Sequence, residues 1–426
     1  MKIKSIVARE IISSGSTPSL EVKVTLNNGV FGKASVPFGA SAGIHEAKVL
    51  FDGGKRYNGR GMLRAVNNIN KVLAPKLKNK DAYDQVAIDQ LMITQDGTES
   101  KKKLGGNAIL GVSLAVARAA ANARNLPLYK YIRRVFKLPI KKYVLPNPQM
   151  VVIEGGKHAD NSTDFQEYMV APIKGNSIKE EVQAGIEVYL ALKKVLKEKK
   201  LDSNVGNEGA YAPSGLKTNE APLKLIQAAI KKAGYSKKDI GIALDPATSE
   251  VFSNGKYHLK KEKKKLDSKG MIAYFQNWLK KYPEIITLED PLHEDDWAFW
   301  PEITKTSNIP IVGDDLTVTN PKRLQHAIDT KSISAILIKL NQIGTLTETI
   351  QTCMLARSNN LMTIVSHRGG GETNDTSMVD LAVAVNAAFI KVGPSRGERV
   401  CKYNRLMEIA DELKAKPAGK NFRKIQ

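Results

Sequence analysis

Six times in the second half of this 426-residue chain, a short apolar run stops on a charged or imidazole residue. The runs are residues 240–244 before Asp245, 285–288 before Glu289, 309–313 before Asp314, 333–338 before Lys339, 361–366 before His367, and 388–390 before Lys391. The last five recur at intervals of about 24 to 28 residues with a helix-patterned segment after each, the βα period of a parallel barrel or doubly wound sheet. Parallel strands are covered on both faces, so a continuous apolar run suits them. The carboxyl ends of such strands are where these folds place chemistry, and the pattern predicts an enzyme.

The order of charges along the tips adds to this. Asp245, Glu289 and Asp314 supply hard oxygen ligands of the kind Mg²⁺ prefers, while Lys339, His367, Arg368 and Lys391 supply cationic or imidazole groups. If the strands close in sequence order, one side of the mouth is anionic and suited to a metal. The other side is cationic and suited to an anionic substrate. Any one charged tip is more often a solvated strand end, but seven at corresponding positions point to a site.

The net charge of +22 raises the question of nucleic acid. The basic clusters at residues 101–103, 193–200 and 260–265 are interrupted by glutamates, read as parts of separate helices and lack interleaved aromatics, so only non-specific nucleic-acid binding is expected. The charge would still steer small anions to the mouth. Cys353 and Cys401 are far apart and match no zinc spacing, which fits inert thiols in a reducing cytoplasm. Residues 1–10 alternate as a strand does and lack a signal peptide's apolar core. The longest apolar stretch, residues 108–121, is too short to span a bilayer and reads as a buried helix, so no membrane association is expected.

Residues 1–137 read as a separate α+β unit. Strands at residues 21–26 and 30–36 flank Asn27, Asn28 and Gly29, a hairpin signal, and a small-residue loop at residues 39–43 follows. Helical patterns come at about 62–74, 81–92 and 106–125. A proline-bearing connector at residues 138–148 leads into a second unit, residues 138–426, with strand-like runs at 150–153 and 165–171 and long helical patterns at about 179–200 and 219–234. Between those helices, residues 206–213 carry Glu208 in a glycine-rich loop. By itself that loop is either a turn or a mobile carrier for a general acid.

Residues 104–116 (LGGNAILGVSLAV), 154–159 (EGGKHA), 166–169 (QEYM), 205–213 (VGNEGAYAP), 288–291 (LEDP), 313–320 (GDDLTVTN) and 338–349 (IKLNQIGTLTET), with Ser366, His367 and Arg368, resemble the enolase family in this order along nearly the whole chain. The resemblance implies an α/β fold: a TIM-type barrel of the ββαα(βα)6 kind behind an N-terminal α+β domain. It implies Mg²⁺-dependent dehydration of 2-phosphoglycerate to phosphoenolpyruvate, two Mg²⁺ per site, and a dimer or ring of dimers. Matched position by position, Asp245, Glu289 and Asp314 resemble ligands of the first Mg²⁺, and Ser41 falls on the loop that reaches the second. Lys339 matches the general base, Glu208 the general acid and Glu167 its carboxylate partner. His158 and His367 line the site, Gln166 and Lys391 lie near the substrate carboxylate, and Arg368 and Gly369 lie at the phosphate end, with Glu289 and Asp314 also close to substrate. Lys339 must be neutral to act, and nearby cations are expected to lower its pKa.

Several positions depart from the family pattern. Residues 13–19 (SSGSTPS) lack the usual Asp and Arg, in a segment close to the family's subunit contact, and Phe38 and Ala42 stand where Ser and Thr are usual. Glu154 replaces Asn, and Asn207 and Ala210 flank Glu208 in place of Asp and Gly. After Arg368, Gly369, Gly370 and Gly371 replace a serine-bearing turn with one residue inserted. The stretch following Lys391 is one residue shorter than usual. Metal and acid/base positions are kept while substrate-end positions vary. Two other readings stay open on sequence grounds: a family paralogue acting on a different (phospho)carboxylate, and a catalytically weak, basic scaffold protein.

Overall fold

The computed structural model describes residues 1–39 and 42–424, so the expectation for Ser41 lies outside the described residues. Three antiparallel strands open the chain, β1 (Ile3–Ile12), β2 (Pro18–Leu26) and β3 (Phe31–Val36), paired in that order. The turn falls where the sequence predicts it: Gly29 has φ 86°, and the Leu26 and Val30 backbones close the hairpin at 2.8 Å. Alternation along β2 buries Leu20, Val22, Val24 and Leu26 against helix α1 (Gly106–Ala123). Only a small residue permits that contact, since a Cβ on Gly111 would sit 2.7 Å from Val22 and 2.9 Å from Leu20. The helix is buried nearly all round, as its unbroken apolar sequence requires. Its one charged side chain, Arg118, leaves the core to hold Asp375 at 3.0 Å and Ser377 at 3.1 Å.

Eight strands then close into a barrel. They are β4 (Asn147–Glu154), β5 (Glu167–Pro172), β6 (Ile240–Asp245), β7 (Ile285–Glu289), β8 (Ile311–Gly313), β9 (Ala335–Ile338), β10 (Met362–Ser366) and β11 (Phe389–Val392). They pair in sequence order, with β11 returning to β4. Strand β5 runs antiparallel to both neighbours and all other pairs are parallel. Helices α2 (Ile178–Glu198) and α3 (Ala221–Lys232) separate β5 from β6, which gives the expected ββαα opening.

Details differ from the sequence reading. Strands β8 and β9 start two residues late, and Lys391 lies inside β11 rather than beyond it. The long interval between β6 and β7 holds a small three-stranded sheet before helix Ser268–Lys281. The basic cluster at 260–265 therefore sits on a 3₁₀ turn and a short strand, not on a helix. Of the cluster at 101–103, Lys101 is buried and bonded to Glu348 at 2.9 Å. Both cysteines are free, and among the described residues no helix is long and apolar enough to cross a membrane.

At the start of α2, Ser177 caps the helix through the Glu180 amide. The next residue, Glu181, is buried with neither carboxyl oxygen hydrogen-bonded among the described residues. Burial pushes this carboxyl up from 4.5 to about 9. An acid whose pKa is raised by folding costs stability as pH climbs from its unfolded value toward its folded one. Glu181→Gln should therefore raise stability near pH 7 by roughly 1–3 kcal/mol, and the gain should vanish near pH 4.5. Denaturant unfolding of both proteins across pH 4–9 measures this; a pH-independent difference would refute the buried neutral acid.

Candidate active site

The barrel mouth, at the carboxyl ends of the parallel strands and the amino end of antiparallel β5, gathers the tip residues into two arcs. Along one lie Glu154, Glu167, Asp245, Glu289 and Asp314 at the ends of consecutive strands; along the other lie Lys339, His367, Arg368 and Lys391. Each is buried or nearly so. The Lys391 ammonium crosses the mouth to meet three carboxylates: Glu167 and Asp245 at 2.8 Å and Glu289 at 2.7 Å. Burial opposes its charge, but Asp245, Glu167 and Glu289 together raise its pKa well above the ordinary value.

Asp314 follows β8 and is held from several directions. The backbone N–H groups of Asp314 and Asp315 donate to the two oxygens of Asp290 at 2.9 and 2.8 Å. Gln342 Nε2 donates to Asp314 Oδ1 at 2.7 Å, and Lys339 Nζ donates to Oδ2. Asp290 and Asp315 were missed by the sequence reading, although each stands beside a predicted ligand in the acidic pairs of LEDP and GDDL. The nearest donor oxygens of Asp290, Asp314 and Asp315 all lie within 4.8 Å of one another. Burial and mutual repulsion push Glu289, Asp290 and Asp315 well above the usual carboxylate range. Asp245 and Asp314 both act on the Glu289 carboxyl, so these three hard-oxygen groups lie near one another with Lys391 and Lys339 among them, a donor set that fits a divalent cation.

The expectation for Lys339 is corrected here. Burial does oppose its charge, and Arg368 and Lys391 do too, but the Asp314 contact outweighs them and Lys339 stands above its ordinary pKa. The same pair holds Asp314 low against its burial.

The third group surrounds His158. Its Nδ1 lies 3.4 Å from Glu208 Oε1, 3.5 Å from Glu167 Oε1 and 3.9 Å from Glu154 Oε2. His367 Nε2 reaches Glu208 Oε2 at 3.3 Å. Burial lowers both imidazoles, His158 to about 4, so both are neutral near pH 7. Gln166 is buried nearby with Oε1 unbonded among the described residues. The loop carrying Glu208 is stitched to the barrel: Tyr211 N–H donates to Val152 O at 3.0 Å, and the Glu154 and Asn207 amides donate to Tyr211 O and His158 O at 2.9 Å. These bonds hold the loop against the barrel with Glu208 buried beside the two imidazoles.

Most departures at the substrate end meet in one seam. Gly370–Gly371 pairs antiparallel with Phe38–Gly39 of the small domain. A Cβ on Gly371 would lie 2.7 Å from the Phe38 ring, and one on Gly15 would strike Gly370 O. Ser14 N–H donates to Glu372 O at 2.8 Å, and Glu372 N–H donates to Ser14 Oγ at 3.1 Å. The extra glycine, the phenylalanine and the altered 13–19 segment thus fit one another. Beneath them Arg368 donates to Glu46 at 2.9 Å, and its backbone amide to Glu372 at 2.9 Å. Glu46 and Glu372 are further residues the sequence reading did not name. Gly369 backs onto the acid group: its Cβ would fall 2.7 Å from His158 Cε1 and closer still to Glu208 Oε1.

A closed barrel that faces a lysine with a buried carboxyl cluster is the apparatus of acid/base chemistry on an anionic substrate. Family profiles for the enolase N-terminal domain and the enolase C-terminal TIM barrel domain match residues 3–132 and 142–426. The chain is 50% identical over 415 residues, 97% of its length and 96% of the relative's, to an enolase of Elusimicrobium minutum (strain Pei191). This chain belongs to the enolase family. Its reaction is the dehydration of 2-phosphoglycerate, a lyase step of glycolysis with a phosphorylated carboxylate as substrate.

Because Gly369 leaves no room beside Glu208, Gly369→Ala should lower kcat about 10- to 100-fold while the melting temperature changes little. Steady-state kinetics and thermal unfolding on one preparation test this, and wild-type kcat would show that the acid cluster tolerates displacement.

Proposed function

We propose that Lys339 removes the C2 proton of 2-phosphoglycerate and that Glu208, partnered by Glu167, protonates the departing C3 hydroxyl. The observation that carries this reading is that Lys339 pairs with Asp314 while Glu208 sits in a different group with His158 and His367, and that Lys391 joins Glu167 of that second group to Asp245 and Glu289. Proton removal places a second negative charge on the substrate carboxylate, so the barrier is mainly electrostatic. Lys391 and the Gln166 carboxamide face that charge, and Arg368 with the Gly369 turn receives the phosphate. His158 and His367, both neutral, can hydrogen-bond around the leaving oxygen without competing for the proton.

Asp245, Glu289 and Asp314 would hold Mg²⁺, and Ser41 a second one; bound there, the metal would supply Lewis-acid stabilisation of enediolate charge. Lys339 becomes a base only when the Asp314 carboxylate is drawn away from it. Burial, Arg368 and Lys391 then all favour the neutral amine. In this reading residues 1–137 cap the barrel of residues 138–426, and the protein works in the cytoplasm as a homodimer or ring of dimers, a state the family resemblance supports.

Purified protein given 2-phosphoglycerate and Mg²⁺ should generate phosphoenolpyruvate absorbance, and a chelator should abolish it. Lys339→Ala and Glu208→Gln should each cut kcat by about 10²- to 10⁴-fold with unchanged circular dichroism. Full activity in either variant removes that residue from its role.

A further inference from the structure

Glu154 ends β4 with no exposed surface, and both carboxyl oxygens face the backbone amide of Glu208, at 3.2 and 3.1 Å. The contact runs both ways, since the Glu154 amide is bonded to Tyr211 at the far end of the same loop. Gly206 makes the approach possible, as a Cβ there would lie 2.6 Å from the Glu154 carboxyl carbon. In register across β4 and β5, Glu154 stands opposite Glu167. Donor atoms of Glu154, His158 and Glu208 all lie within 4.8 Å of one another. Glu154 stands where the family resemblance implies an uncharged Asn.

Taking Glu208 as the proton donor, we propose that Glu154 is its positioning residue, clasping the Glu208 amide and placing a third acid group in the pocket.

The groups that bear on Glu154 are Glu208 on the loop, Glu167 on β5, His158 after its own strand, and Arg399 at the start of the last long helix. Arg399 is the one cation among them, and it bonds to Glu398 and to Asn207 O rather than to Glu154. Neutral His158 offers no counter-charge. Burial first, and Glu208 next, push the Glu154 carboxyl well above the ordinary range. Interacting acids release protons in steps that belong to the group, so the added acid should carry the last step to higher pH.

Two variants separate clasp from proton. Glu154→Gln keeps an oxygen for the Glu208 amide but cannot ionise; Glu154→Ala loses both. The alkaline limb of kcat should move down by about one pH unit in Glu154→Gln, with KM within about twofold of wild type. Glu154→Ala should lose a further tenfold or so in kcat, which the glutamine variant restores. Infrared difference spectra of the free proteins near pH 7, wild type minus Glu154→Gln, should contain the stretch of a protonated carboxyl. No such band, with coincident pH profiles, would overturn the shared proton; wild-type kcat and KM in Glu154→Ala would overturn the clasp. The infrared comparison needs no substrate, so it still decides if the wild-type protein fails to turn over 2-phosphoglycerate, an outcome that instead refutes the assigned reaction.

Discussion

The Lys391 ammonium is the joint on which the rest of the site depends. Its three carboxylate partners come from β5, β6 and β7, so one side chain crosses the barrel mouth to bind an otherwise self-repelling arc. Taking four charged groups out of water is costly, and only short, mutual contacts offset that cost. The arrangement is therefore better understood as function than as stability. It aligns three carboxyl groups around one ammonium at the place where an anionic substrate would be accommodated.

Charge balance explains the neighbouring sites as well. Around Asp314, Lys339 plays the part that Lys391 plays in the centre, and Asp290 steadies the backbone below. Around Glu208 no lysine among the described residues reaches the carboxylate, and the acid group sits among neutral imidazoles and other carboxyls. One end of the mouth thus holds a lysine in an ion pair. The other packs buried acids against two neutral imidazoles.

The substrate end shows how a set of departures remains one working surface. Phe38 without Gly371, or the inserted glycine without the changed 13–19 turn, would clash or leave a gap. Together they form a small strand pair that seats the N-terminal domain over Arg368, whose guanidinium is held by Glu46 from that same domain. The altered residues are far apart in sequence, so nothing along the chain reveals that they compensate one another.

What the sequence by itself determined is the barrel and the identity of its tips. Apolar runs of a few residues, repeated with intervening helices and each stopped by a charged group, can satisfy their backbone and their burial in few other ways, and the quoted motifs tied those tips to one family. The hairpin at Gly29 and the buried helix α1 were legible for the same local reasons: turn chemistry and unbroken apolarity. Tertiary structure decided the pairings. That Lys339 is held charged by Asp314, that Glu154 grips the Glu208 loop, and that Glu46 reaches Arg368 depend on distances between residues 25 to 322 positions apart. A pKa or an ion pair is set by burial and by which charge lies within a few ångströms, and neither quantity exists until the chain has closed on itself.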